Sequence, residues 1–291
     1  MPTPRSDIPA VPRLPGWLVA GPAETPEQAA FRSGAALAHL ALAMAQQTVP
    51  QALWRDRLAL AAAEVCAGLS GRREGQGALR DAVHLTRPGD HPGPAGAIFG
   101  QWSRAAGRPI SVAHLARALD GVPAERIATW LDAPGVTPVD RAAGVLAAVL
   151  DDSPRAETAA LILADAVLAR AIGGDHVVPL VPLGLKPRDL RLRGEALRLA
   201  CLRAIVASVG QSVPLAADLA LRAGRLRAVL PQLRAKAAGR AVDLFLSRDA
   251  LAPAALDFMS DRAARRLCDR LVALGAVREL TGRDSFRLYG V

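Results

Sequence analysis

The chain has 291 residues, of which 51% are hydrophobic and 22% charged, enough to bury a core and far from the composition of a disordered polar tail. Aromatics supply only 3% and alanine is abundant, so a mainly β fold is excluded in favour of helices. The net charge of +9 is uneven: residues 1–185 carry a net −1 and residues 186–291 a net +10. A basic surplus confined to the last third is what a surface for a polyanion would leave in a sequence, although an arginine-rich coding bias gives the same count.

In chain order, residues 1–24 read as a proline-rich lead-in, with prolines at positions 2, 4, 9, 12 and 15 breaking up any signal-peptide core. A helical domain is expected over 25–172. It opens at Thr25-Pro26-Glu27-Gln28, where a capping hydroxyl, a proline at the first helical position and a glutamine at the third mark a helix start. Apolar periodicity runs through Leu42, then from Gln51 to Leu69 with a stop at Gly71. Shorter helices follow at Leu79–Leu85, Ala95–Ala105, Val112–Leu119, Ala124–Leu131, Val139–Leu150 and Ala156–Ile172, each junction punctuated by Gly or Pro. Residues 173–188, GGDHVVPLVPLGLKPR, read as a hinge. Beyond it a basic helical segment is expected over 189–247, with helices at 189–209, 214–230 and 232–247.

Residues 248–291 change character. Ala250–Leu256 reads as a short helix and Asp261–Leu274 as a second, with Ser260 as N-cap and Gly275 as the left-handed stop. Ala276–Leu280 and Ser285–Tyr289 read as two strands around Thr281-Gly282-Arg283-Asp284, with Val277, Leu280, Phe286 and Leu288 facing the core. Helix, turn, helix, hairpin is the order of a winged helix. The expected fold class is therefore mainly α: a multi-helix bundle or array with a small C-terminal winged-helix module.

In such a module the second helix meets the major groove. Its outer face would offer Arg262, Arg265, Arg266 and Arg270, and the wing Arg283 and Arg287; arginine's planar fork suits phosphates and guanine edges. Residues 241–291 hold 8 basic and 7 acidic groups, however, and the larger excess lies upstream, with 12 basic against 3 acidic over 186–240. Arg222, Arg225, Arg234, Lys236 and Arg240 belong to that run and could track a phosphate backbone. DNA contact, protein contact and a structural cap all remain open for the tail. A second helix-turn-helix-like stretch, from Ser111 to Leu131, is equally well explained by two short packed helices.

Enzymatic signals are sparse. His84, Asp90, His91 and His176 are the candidate metal ligands, but no H-E-x-x-H, C-x-x-C or Glu-x-x-His spacing supports them. Cys66, Cys201 and Cys268 lie in apolar helical runs as small buried hydrophobes. Without a phosphate-binding loop, a dinucleotide fingerprint or a nucleophile elbow, no cofactor and no catalytic residue is expected. No uncharged apolar run reaches about 18 residues, so the expectation is a cytoplasmic protein with no membrane partner. DNA and another protein are the two partners considered; the oligomeric state is not legible.

Two resemblances add to this reading. LCDRLVALGAVRELTGRDSFRLYG resembles winged-helix tails, particularly those of Fic-type AMP-transferring proteins. The Fic active loop starts His-Pro-Phe and runs into Gly-Asn-Gly-Arg; here His91-Pro92 leads into Gly93-Pro94-Ala95-Gly96, so AMP transfer is not implied. ETPEQAAFRSGAALAHL, LRDAVHLTRPGDHPGPAG and RRLCDRLVALGAVRELTGRDSFRLYG together resemble an alphaproteobacterial family catalogued as a domain of unknown function, number fourteen-oh-three. That resemblance covers the chain from about Leu14 onward and implies no activity. The leading expectation is a non-enzymatic nucleic-acid-associated protein, with a helical protein-interaction adaptor and an all-α histidine/carboxylate enzyme as alternatives.

Overall fold

A computed structural model describes residues 11–21, 25–87, 89–233 and 237–291. The N-terminal lead-in therefore lies partly outside the described residues. Its visible part forms a one-turn helix α1 (Gly16–Val19) that buries Leu18. Helix α2 (Pro26–Ala45) starts as its sequence predicts, with the Thr25 hydroxyl accepting from the Gln28 N–H at 3.3 Å. Then come α3 (Gln51–Leu69), α4 (Gln76–His84), α5 (Gly93–Ala106), α6 (Val112–Ala118), α7 (Ala124–Leu131), α8 (Pro138–Asp152) and α9 (Glu157–Ala171). The expected helices of this region recur within a few residues at each end.

Helix α9 is the centre. Every residue from Ala160 to Ala169 is buried, as a helix apolar all round requires. It packs on α8 most extensively and also meets α3, α5 and α7, while α3 packs against α5. Helix α8 is fixed at its start by a reciprocal cap. The Thr137 hydroxyl accepts from the Asp140 N–H (3.2 Å) and the Asp140 carboxylate accepts from the Thr137 N–H (3.0 Å). Two otherwise orphaned donors are satisfied there. Thr137→Ala is expected to lower stability by about 1 kcal/mol, read as a lower urea midpoint at unchanged slope.

Residues 173–188 contribute to the core rather than running over the surface: Val177, Val178, Leu180, Val181 and Leu185 are buried. Within them α10 (Val181–Gly184) lies so close to the next helix that a Cβ on Gly184 would run into the Ala204 carbonyl. A 3-10 turn, Pro187–Arg191, leads into that next helix, α11 (Gly194–Ala228).

The expected break between 209 and 214 does not occur. Helix α11 runs unbroken for 35 residues with Pro214 inside it. Proline removes the donor to the Gly210 carbonyl, and its ring would crowd the residue one turn earlier; that residue is a glycine, and Pro214 itself faces outward. Burial of Ser212, Val213, Ala216 and Leu219, and a 2.9 Å hydrogen bond from the Trp54 indole to the Ser212 carbonyl, anchor the helix at the proline. By length and composition the segment Gly194–Gln232 is apolar enough to cross a membrane, but α11 packs on α2, α3, α8 and α10.

After α11, a 3-10 turn (Leu230–Gln232) precedes α12 (Ala238–Phe245), shorter than the expected 232–247 helix. The tail carries a 3-10 turn (Pro253–Ala255), α13 (Asp261–Ala273), and a two-stranded antiparallel ribbon of β1 (Arg278–Glu279) and β2 (Tyr289–Gly290). Three expectations change here. The helix over 250–256 reduces to the 3-10 turn, the strands reduce to two residues each, and Phe286 points outward, 73% exposed at φ 55°. The reason is pairing. Tyr289 exchanges two backbone hydrogen bonds with Leu251 (2.8 and 2.9 Å), so β2 is held by the start of the tail as well as by β1. The Glu279 carboxylate accepts from the Thr281 and Gly282 N–H groups (2.6 and 2.8 Å), which ends β1 early and leaves a loop where strand was expected.

Candidate nucleic-acid interface

Helix α13 carries the ridge expected from the sequence. Ser260 caps it by accepting from the Ala263 N–H at 3.4 Å, with Asp261 in the first turn and Arg270 in the last, both matched to the helix dipole. Ala264, Leu267, Cys268 and Leu271 form the buried stripe. Gly275, at φ 65°, ends the helix, and the Ala276 N–H reaches back to the Leu271 carbonyl at 3.0 Å. Arg262, Arg265, Arg266 and Arg270 are thereby left exposed on the other face. Arg265 is paired with Asp261 at 2.9 Å. Among the described residues Arg262, Arg266 and Arg270 have no ion pair.

The two arginines expected on a wing, Arg283 and Arg287, are engaged. Arg283 pairs with Asp81 at the body of the protein. Arg287 donates to the Arg283 carbonyl at 2.8 Å and lies 3.8 Å from Asp284. Of the upstream run, Arg222 is bound to Asp218 one turn earlier at 2.8 Å, and Arg225 is exposed without an ion pair among the described residues. Arg240 lies over the Phe258 ring, 4.2 Å from its centroid, and 4.0 Å from Asp257. Arg234 and Lys236 lie outside the described residues.

Folding adds a residue that the sequence reading did not select. Arg278, from β1, lines a concavity of about 170 Å³ together with Arg222, Arg225 and Asp218 of α11 and the terminal Val291. Strand alternation could have found it, since Val277 is buried and Arg278 exposed. Three guanidinium groups from segments more than fifty residues apart thus face one opening, with Asp218 the one side-chain carboxylate among the described residues that line it.

Beneath this surface lies an ionic cluster with no signature in the sequence. Asp249 is fully buried and paired with Arg57 of α3 and Arg80 of α4. Its own N–H donates to Asp56 at 2.9 Å, and Asp56 also accepts from the Ser103 hydroxyl at 3.0 Å. Burial pushes the Asp56 carboxyl up from its ordinary value despite those donors. Burial also pulls Arg57 down, countered by Asp249 and reinforced by nearby Arg80, Arg278 and Arg222.

The histidine candidates do not form one ligand set. His84 ends α4 beside this cluster; burial depresses its pKa while Asp56 and Asp249 oppose the shift. His91 accepts from the Gly93 N–H at 3.0 Å, His176 pairs with Asp175 at 2.7 Å, and Asp90 is exposed. Among the described residues no group of three or more His, Cys, Asp or Glu is placed to hold a metal ion. The three cysteines are buried, as expected of small hydrophobes, and burial raises their thiols to about 11 or 12.

The described residues define a mainly helical protein in whose last third Arg222 and Arg225 of α11 and Arg278 of β1 line one concavity. Over residues 2–291 the chain matches the family described as Protein of unknown function (DUF1403), and it belongs to that family. No curated protein and no solved structure matches it.

Proposed function

We propose that this is a nucleic-acid-associated protein that holds a phosphate backbone on its C-terminal third. The observation that carries the reading is the meeting of Arg222, Arg225 and Arg278 at one open concavity, in the same third of the chain as a helix whose Arg262, Arg266 and Arg270 have no ion pair among the described residues. On this reading α13 takes the place of a recognition helix and the β1–β2 ribbon that of a reduced wing. Arginine donors that are not committed to carboxylates are available for phosphate oxygens, and each contact releases condensed counterions on binding. Exposed Asp261 and Asp269 beside the α13 ridge repel phosphates, so on this reading the concavity carries most of the backbone contact.

A gel-shift titration over salt concentration tests the reading. The expected result is binding at low ionic strength whose log–log salt dependence has a slope of about −0.9 per phosphate engaged. Reversing Arg225 and Arg278 to glutamate together is expected to weaken binding at least about tenfold and to reduce the slope by roughly two. Absence of any complex at low salt overturns the proposal.

A further inference from the structure

A second site lies on the other half of α11. A groove of about 710 Å³ opens along its N-terminal turns. Ala196, Ala200, Ala204, Ala207 and Gly210 make its floor, and Val19, Leu192, Leu199 and Val206 its walls. Among the described residues Arg32 of α2 and Lys186 and Arg188 of the preceding turn bring cations to its edge, and Arg203 and Gln211 of α11, of which Arg203 is otherwise engaged, also line it. Asp189, the one carboxylate in the lining among the described residues, accepts from the Lys186 N–H at 3.0 Å and lies 3.9 Å from Arg188. Arg32 is anchored by donating to the Ala20 and Gly21 carbonyls, each at 3.0 Å, which positions the guanidinium without neutralising it.

We propose that this groove binds a single-chain anionic amphiphile, of which a long-chain carboxylate is the simplest form. The volume lies in the range of small-molecule sites, and the lining has their pattern of an apolar body with a few polar groups at one edge. The alanine and glycine positions of α11 offer no side-chain hydrogen-bond partner to a sugar or a base, Gln211 being the one neutral polar side chain, and among the described residues no aromatic side chain in the lining could stack on a ring. A flexible alkyl chain needs neither. It loses water along the alanine floor while its headgroup takes charge-assisted hydrogen bonds from the rim. The site is independent of the proposed nucleic-acid surface: Arg203 and Arg222 are separated along α11 by about 28 Å at 1.5 Å per residue.

The protein carries its own reporter. Trp17, two residues before Val19, is 50% exposed and stacked on Phe31 at 5.6 Å, whereas Trp54, Trp102 and Trp130 are buried. The full chain is titrated with saturated straight-chain carboxylates of increasing length, each below its micelle-forming concentration, and binding is read by Trp17 emission and calorimetry. The expected result is one-to-one binding that tightens by roughly fourfold per methylene until the groove is filled and then levels off. The alcohol of equal length is expected to bind at least about tenfold more weakly. Lys186→Glu with Arg188→Glu is expected to weaken the carboxylate at least about tenfold and leave the alcohol unchanged. Ala207→Phe fills the exposed end of the floor and is expected to abolish both; Ala200→Phe serves as the second blocking variant should the first lower the melting temperature. Affinity that climbs with length without levelling, no saturable binding below the micelle concentration, or attachment to anionic phospholipid vesicles with none to the soluble amphiphile overturns the proposal.

Discussion

Asp249→Ala is expected to cost about 3–5 kcal/mol of folding stability, the largest single-residue effect in the molecule outside the apolar core. The carboxylate is fully buried and paired with both Arg57 and Arg80, with Arg80 donating from two nitrogens at 2.5 and 3.2 Å. Arg222 and Arg278 add their positive field at Arg57, so removal of one anion leaves four neighbouring guanidinium groups without it. Breaking a buried pair from one side costs far more than the pair contributes, because the remaining charge stays desolvated. Asp249→Asn keeps the shape and some hydrogen bonding but not the charge, and is expected to recover only a minor part. The loss is local as well as global. Asp249 leads directly into Leu251, which pairs with Tyr289, and Arg57 also donates to the terminal Val291 carbonyl at 3.4 Å. Urea midpoints give the magnitude, and hydrogen exchange at the Leu251 and Tyr289 amides tests whether the tail loosens first. A variant that unfolds at the wild-type midpoint would show that the cluster is not the anchor of the tail.

How much of this was legible in the sequence follows the range of the interactions. Thr25, Ser260 and Gly275 act on residues within one turn, so the starts of α2 and α13 and the end of α13 were readable from the chain. Pro214 obeyed a local rule that tertiary packing overrode: an outward-facing ring, Gly210 one turn earlier and a buried flank on either side let α11 continue through it. Phe286 failed for a different reason. Period-two alternation assumes that a strand continues, and this ribbon stops after two residue pairs because Glu279 closes the turn and Leu251 takes part of the pairing. The arginine ridge of α13 could be placed from helical spacing alone. The concavity of Arg222, Arg225 and Arg278 could not, and neither could the Asp249 cluster, whose partners stand 169 residues or more away along the chain. No local pattern encodes a contact of that range.

Between about pH 6.5 and pH 8 the protein is expected to lose stability as pH rises, by about 2 kcal/mol, and Asp165 is the cause. This carboxyl is completely buried in α9, accepts from the Leu180 and Val181 N–H groups at 3.0 and 2.9 Å, and has no ion pair among the described residues. Burial outweighs the two donors and pushes its pKa up to about 8. In the unfolded chain an aspartate titrates near 3.9. Between those values the folded state holds the extra proton, so unfolding releases it and rising pH favours the unfolded chain. The contribution is complete below about pH 4 and is lost as pH climbs through the folded value. Asp56, also raised by burial, acts in the same direction as Asp165. His84, depressed by burial, gives a term of opposite sign that is complete above its ordinary value near 6.5. Cys66, Cys201 and Cys268, with thiols raised to about 11 or 12, act in the same direction as Asp165 but only above about 8.5. Urea midpoints measured across the window in wild type and in Asp165→Asn separate the terms. The asparagine variant turns an amide N–H₂ toward one of the two backbone donors, so its stability is expected to be lower at pH 6.5, yet with most of the slope from there to pH 8 removed. A slope that survives undiminished in the variant would assign the titration to another group.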